Sequence, residues 1–348
     1  MTGSSGRTSY NQVLQMTNSE QMLLNLIRLR YYDAPFFLDV GTITTQFSYK
    51  GTVNSSLPIP GFSKENPFVI GGDFTWTDQP TIQYTPLEGQ AFAKQLLTPV
   101  DLRMVQQLVL SGWDIELVFR LVIQGFNDYL NAPEAAGPIP EFIPRYQSFF
   151  EVSKLFRYFQ KRSELKIGVK HHACKKKEGE EDVYEEQKQV LQIAIPVGTP
   201  EAEKLASYFP DCTIMNEHYV IHLDLGFTPK GKIGIMPRSI LSCMYYLSLG
   251  IQVPNCDVSS GRVCSTKGIG GEIFDWKEVM CELITIQNSR SYPENAYVAT
   301  KYKDFWFYID DCDARSKKTF LLLLQLYNLK SQEPKNIPPL LSLPLSQG

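Results

Sequence analysis

No apolar run in this chain is long enough to cross a bilayer as a helix. A block such as Phe320 to Leu324 falls far short of the ~20 residues needed, and Gln325 interrupts it. Excess charge of either sign is also missing: the net charge is −3 and the pI about 5.9. Such a balance gives no global electrostatic reason to bind nucleic acid or an anionic membrane, so no nucleic-acid partner is expected. The seven cysteines form no C-x-x-C pair, which leaves a zinc ribbon and a thioredoxin-like redox motif unsupported. A G-x-S-x-G nucleophile elbow is absent as well. There is no sustained internal repeat and no regular βαβ alternation, which argues against a doubly wound parallel sheet.

What remains is an ordinary globular composition, 43% hydrophobic and 20% charged over 348 residues. That length suits one large domain or two lobes. The opening Met1-Thr2-Gly3-Ser4-Ser5-Gly6 lacks the charged start and apolar stretch of a secretory signal. It suits a flexible tether as well as a cloning residue, because composition shows stiffness and not origin.

The patterns predict an α+β fold, mainly antiparallel sheet with packed amphipathic helices and two lobes. Residues 1–17 are expected to be a flexible leader, followed by an N-terminal lobe over 18–131. Asn18 and Gln21 signal a helix start there, with Met22, Leu23, Leu26 and Ile27 at helical spacing. Ile43, Thr45, Phe47 and Tyr49 alternate with Thr42, Thr44, Gln46 and Ser48 as in a half-buried strand, with strand-like stretches at 67–70 and 73–84 beyond it. Thr98 and Pro99 are expected to open a helix that Gly112 ends. Ile115, Val118, Phe119, Val122 and Phe126 suit one face of another.

The four prolines of 132–144 predict an extended linker. A C-terminal lobe over 145–330 then opens with Phe149, Val152, Phe156 and Phe159 as a core stripe, with Lys154, Arg157 and Lys161 outside. Strands are expected near 165–169, 190–195, 219–223, 283–286, 297–302 and 305–309. Thr199 and Pro237 are placed to open helices, and 313–330 to close the lobe as a helix. The charged excursion 175–186 is expected to be a hairpin tip, and residues 331–348 a Pro-rich tail.

The sharpest chemical candidate is the strand Phe305 to Ile309 running into Asp310, Asp311 and Asp313. A hard cation holding a sugar diphosphate needs clustered oxygen ligands of this kind. The same acids are equally well placed to cap the following helix, a commoner use of them. Gly226 to Lys232 has the spacing of a phosphate-binding loop, but Ile233 replaces the magnesium-binding hydroxyl and Pro229 removes a cradling N–H. His171, His172 and Cys174, and the pair His218 and His222, lack a second ligand cluster. Basic residues interleaved with aromatics from Arg145 to Lys177 fall on a helical core stripe, which favours packing over nucleic-acid binding. Cys256 and Cys264 flank a polar loop and form a candidate disulfide in an oxidising compartment, with free thiols as the ordinary alternative. No catalytic residue, metal or cofactor is expected from these patterns.

The strings Asn25 to Tyr31 with Asp33 to Val40, and Phe305 to Asp311 with Arg315-Ser316-Lys317, resemble a family of bacterial cell-envelope proteins over most of the chain. Members look like exported lipoproteins. The resemblance implies a lipidated cysteine before the Gly/Ser leader, which this sequence does not contain. It implies no catalytic residues. The expected function is a non-catalytic envelope protein on the periplasm-facing outer membrane. It would be tethered by an N-terminal lipid anchor and contribute an interaction or scaffold surface to other envelope proteins, as in a secretion or assembly complex. The alternatives are a metal-dependent envelope enzyme acting on glycans through Asp311 and Asp313, and a cytoplasmic location.

Overall fold

The computed structural model describes residues 7–54, 71–138, 140–174, 186–226 and 233–331. The chain divides into two compact units, one formed by residues 1–35 with 90–348 and the other by 36–89.

The smaller unit is a long antiparallel hairpin of β1 (Leu38–Asn54) and β2 (Gly71–Pro86). Its ladder runs from Leu38 opposite Pro86 to Asn54 opposite Gly71, with one irregularity between Val40 and Thr42. The period-two pattern of 42–49 and the expected strand over 73–84 both fall in this ladder. The expected stretch at 67–70 lies outside the described residues.

The larger unit begins with α1 (Arg7–Arg30). The helix starts eleven residues before the Asn18 cap, so 7–17 is helix and not a flexible leader. Its C-terminal half is apolar enough to bury Met22, Leu23, Leu26 and Ile27. Short helices α2 (Gln90–Leu97), α3 (Leu102–Leu110) and α4 (Ile115–Val122) follow. Asp101 caps α3 and Asp114 caps α4, each accepting a backbone N–H two residues on, at 2.7 and 2.9 Å. Thr98 and Pro99 do not open a helix: Pro99 is instead bridged to Ser239. Gly112, at φ +92°, lies just past the end of α3.

After Val122 the chain straightens. β3 (Ile123–Phe126) pairs with β4 (Tyr129–Leu130), so Phe126 sits on a strand and not on the face of α4. Residues 133–136 make a 3-10 turn. α5 (Gln147–Lys161) then buries Phe149, Val152, Phe156 and Phe159 as its spacing predicts.

The main sheet is completed by β5 (Lys166–Cys174), β6 (Glu186–Pro196), β7 (Thr213–Met215), β8 (His218–Leu225) and β9 (Ile233–Pro237). Its order is β4-β3-β9-β8-β6-β5, with β7 also on β8. All pairs are antiparallel except β8 with β9. A helix α6 (Pro200–Ser207) capped by Thr199 packs nearby. The core between helices and sheet is an aromatic cluster: the Phe126 ring lies 5.6 Å from Phe119, 5.0 Å from Phe149 and 5.9 Å from Phe209. Each ring buries on the order of 150–250 Å² and dominates its neighbourhood.

The rest of the unit is α7 (Ile240–Ser248), α8 (Asn255–Ser259), α9 (Lys277–Met280), a three-stranded sheet and a closing helix. Pro237 ends β9, and Ser239 caps α7. The small sheet has the order β10-β12-β11, from β10 (Gln287–Ser289), β11 (Ala296–Tyr302) and β12 (Phe305–Asp310). Residues 283–286, expected as a strand, form a turn and one bridge from Ile286 to Ile251. The chain then enters α10 (Ala314–Ser331). The architecture is α+β, as its patterns predict. The excursion 175–185 and the tail 332–348 lie outside the described residues.

The division into lobes at 132–144 does not match the structure. Ala132 and Ala135 are fully buried, and the Ala132 carbonyl accepts a hydrogen bond from the buried Arg238 of the same unit. The prolines make it irregular, but irregular backbone belongs to a core when its carbonyls find donors.

Candidate functional site

Four places bear on function: the acidic turn after β12, the loop holding Cys256 and Cys264, the cleft between α4, α5 and α10, and the surface around residues 140–144 and 266–273.

At the acidic turn, each carboxylate has a structural partner. Asp310 Oδ1 accepts the Cys312 N–H at 2.8 Å. Asp313 Oδ1 accepts the Ser316 N–H at 3.1 Å and its Oδ2 the Ser316 hydroxyl at 2.5 Å, which caps α10. Ser316 Oγ in turn accepts the Thr285 N–H at 2.8 Å, tying the helix start to the preceding turn. Asp311 Oδ1 lies 2.6 Å from Lys317 Nζ, and that pairing raises the lysine above its ordinary value. A cap of this kind contributes about 1 kcal/mol, an exposed ion pair less. Among the described residues, no three His, Cys, Asp or Glu side chains are grouped to hold a metal ion.

The histidines are dispersed. His171 Nε2 faces the Arg103 guanidinium with Nε at 3.0 Å, and His218 lies beside Lys166 at 3.3 Å. The side chains of His172 and Cys174, and most of the loop-like segment 226–232, lie outside the described residues.

Cys256 and Cys264 are free, exposed thiols, so the candidate disulfide is not formed. A buried carboxylate staples the loop instead. Asp257, 1% exposed, accepts hydrogen bonds from the Tyr31 hydroxyl and the Arg262 guanidinium, each at 2.7 Å. Burial pushes its pKa up, but Tyr31 and Arg262 outweigh that and hold it below the ordinary value. Burial and the bond to Asp257 raise the Tyr31 phenol. Cys243 is buried in the core, which pushes its thiol up to about 12 and makes it an inert packing residue.

A cleft of about 850 Å³ lies between α4, α5 and the start of α10. Asp114 pairs with Arg157 at 2.8 Å and Glu282 with Arg120 at 3.0 Å. Lys161, Arg315 and Lys318 also line it and form no ion pair among the described residues. The cleft is therefore positive and suited to anionic groups. Lys154, Arg157 and Lys161, the outward residues of the α5 pattern, are its wall.

The surface at 266–273 was not evident from spacing. Gly268 to Gly271 turn a tight hairpin in which the Gly268 N–H donates to the Glu272 carbonyl at 2.8 Å and the Gly271 N–H to the Gly268 carbonyl at 2.9 Å. A side chain at Gly268 would meet the movable Glu272 carboxylate, at 1.9 Å, whereas Gly271 at φ +84° is the position where the turn favours glycine. Ile269 at the tip is fully exposed, and Ile273 and Phe142 are 66% and 67% exposed. Ile143 lies against Gly268. Behind them Thr266 Oγ1 donates to the Pro140 carbonyl at 2.7 Å and accepts the Trp276 indole N–H at 2.9 Å. The signal available in sequence was an isoleucine inside Gly-Ile-Gly-Gly, since a polar tip is the ordinary choice for such a turn.

No family model, curated protein or solved structure matches the chain.

Proposed function

We propose that this chain is a non-catalytic interaction component of the bacterial envelope, tethered at its N-terminus and docking other envelope proteins. The observation that carries the reading is the apolar surface of Phe142, Ile143, Ile269 and Ile273, presented on a glycine turn and braced from behind by Thr266 and Trp276. Contiguous exposed apolar side chains on a rigid support are what a protein partner covers. The glycan-enzyme alternative would require Asp311 and Asp313 to leave an ion pair and a helix cap before binding a cation.

The test is affinity purification of the natively expressed protein from detergent-solubilised membranes, in parallel with the double variant Phe142→Asp, Ile269→Asp. Envelope proteins recovered in stoichiometric amount with the wild type and lost with the variant, at unchanged thermal stability, would support docking through this surface. Recovery of the wild-type protein alone from the soluble cytoplasmic fraction would overturn it.

A further inference from the structure

The β1–β2 hairpin has a feature that docking through the 266–273 surface does not use. Its two faces differ in chemistry. On one, which is predominantly apolar, the β1 positions Ile43, Thr45, Phe47, Tyr49 and Gly51 fall opposite Ile82, Pro80, Asp78, Trp76 and Phe74. On the other, Thr44, Gln46 and Ser48 fall opposite Thr81, Gln79 and Thr77. Every pair on this second face from Thr42–Gln83 to Thr52–Asp73 is polar on both strands. The irregularity between Val40 and Thr42 keeps the pattern in phase: the pair Val40–Tyr84 joins the apolar face even though β1 has changed parity at Gly41.

Length and aromatic placement match a bilayer. Phe74 and Tyr84 mark the two ends of the apolar band and are ten residues apart. At ~3.3 Å per residue that is about 33 Å along the strand. At a tilt of ~40° it is about 25 Å of height, the apolar band of a transmembrane barrel, which aromatic girdles flank at both interfaces. No helix among the described residues is long and apolar enough to span a membrane. A closed β-barrel is the other structure that satisfies the backbone in lipid.

Among the described residues the hairpin is a sheet of two strands, with no third strand in its ladder. Two strands alone are marginal in water, and long free edges seek pairing. Identical hairpins from neighbouring copies can meet edge to edge, and closure into a ring removes every edge.

We propose that the β1–β2 hairpin is the membrane-spanning element of an oligomeric β-barrel. Copies of this chain pair through their hairpins, turn the Ile43–Ile82 face to lipid and line an aqueous lumen with the Thr44–Thr81 face. The lumen is mostly hydroxyl and amide, so it conducts water and small solutes with little charge preference. Asp78 is the one charge on the lipid face, near mid-height, and opposes insertion. Pro80 offers no N–H, so the ladders of β2 are short of one donor there.

The inference stands on the hairpin alone and survives failure of the docking surface. Full-length protein is reconstituted from detergent into vesicles of phosphatidylethanolamine and phosphatidylglycerol. An environment-sensitive dye is placed on single cysteines at positions 42 to 49 in a cysteine-free background, and release of an entrapped fluorophore is followed. The expected result is a blue shift alternating with period two, at 43, 45, 47 and 49, seen only with vesicles and accompanied by release. Phe47→Asp and Ile82→Asp should abolish release. Thr44→Asp and Thr81→Asp should retain it and turn conductance toward cations, and Asp78→Asn should raise release. Absence of alternation with vesicles, or the same alternation in their absence, would overturn the proposal. The first excludes a lipid face, and the second shows that protein covers it.

Discussion

Arg238 shows how a single side chain can fix the irregular part of a fold. It is fully buried, and its guanidinium donates to the backbone carbonyls of Arg120, Leu121, Ile123, Asn131 and Ala132 while lying 4.0 Å over the Tyr246 ring. The Asn131 amide donates to the carbonyls of Arg120 and Ile123 at 2.8 and 2.7 Å, and its Oδ1 accepts the Tyr246 hydroxyl at 3.1 Å. Carbonyls at the end of a short helix and in a proline-rich loop thereby find donors they would otherwise lack. Burial lowers the pKa of Arg238, yet the planar fork reaches several carbonyls together, which a lysine cannot do. Arg238→Ala is expected to cost about 3–5 kcal/mol, the scale for breaking a buried charged network. Arg238→Lys should recover less than half of that loss. Urea unfolding of the three proteins gives the comparison, and a loss under about 1 kcal/mol for alanine would show that water satisfies these carbonyls equally well. Nothing in the sequence near Arg238 marks it as buried, because its partners are backbone atoms more than a hundred residues away.

At the scale of elements, legibility followed periodicity. α5 and the strand pattern of β1 were readable because each repeats one chemical type at a fixed interval, which burial follows in α5 and the ladder register in β1. The N-terminal part of α1 was missed because 7–17 is mostly polar, and its helical state rests on continuity with the apolar turn at Met22 to Ile27. β3 was hidden because Val122 and Phe126 suit a helix face equally well, and the change of backbone comes from pairing with the distant β9. The acids after β12 were legible as caps as well as ligands, since one spacing serves both uses. The Asp257 staple was not legible, because Tyr31 lies 226 residues away.

That staple links the end of α1 to α8 and makes a pH-dependent contribution. The folded pKa of Asp257 lies below its ordinary value. Its contribution is therefore fully present above the unfolded value of about 3.9 and is lost as pH falls through the folded value. Asp257→Asn is expected to cost about 1–3 kcal/mol at neutral pH. It should also flatten the fall of stability below about pH 4. Unfolding midpoints measured from neutral to acid pH check both, and an unchanged acid limb would place the acid sensitivity in other carboxylates.

For the whole molecule, the decisive division runs around an inserted hairpin and not through the proline-rich segment. Prolines at 133, 138, 140 and 144 resemble a linker by composition, whereas the true boundaries at 35 and 90 carry no comparable run. The larger unit contains the aromatic cluster, the Arg238 network and the seven- and three-stranded sheets. Leu38 pairs with Pro86, which sets the two ends of the insertion one strand spacing apart, about 5 Å. A linker of about four Gly and Ser residues can bridge that distance. Joining residue 38 to residue 86 through such a linker is expected to leave a cooperatively folded protein with an unfolding midpoint close to that of the intact chain, while removing vesicle leakage entirely. If excision destroys cooperative unfolding, the hairpin contributes to the core of the larger unit. If the shortened protein folds and still permeabilises vesicles, the membrane activity belongs to the larger unit and the barrel assignment fails.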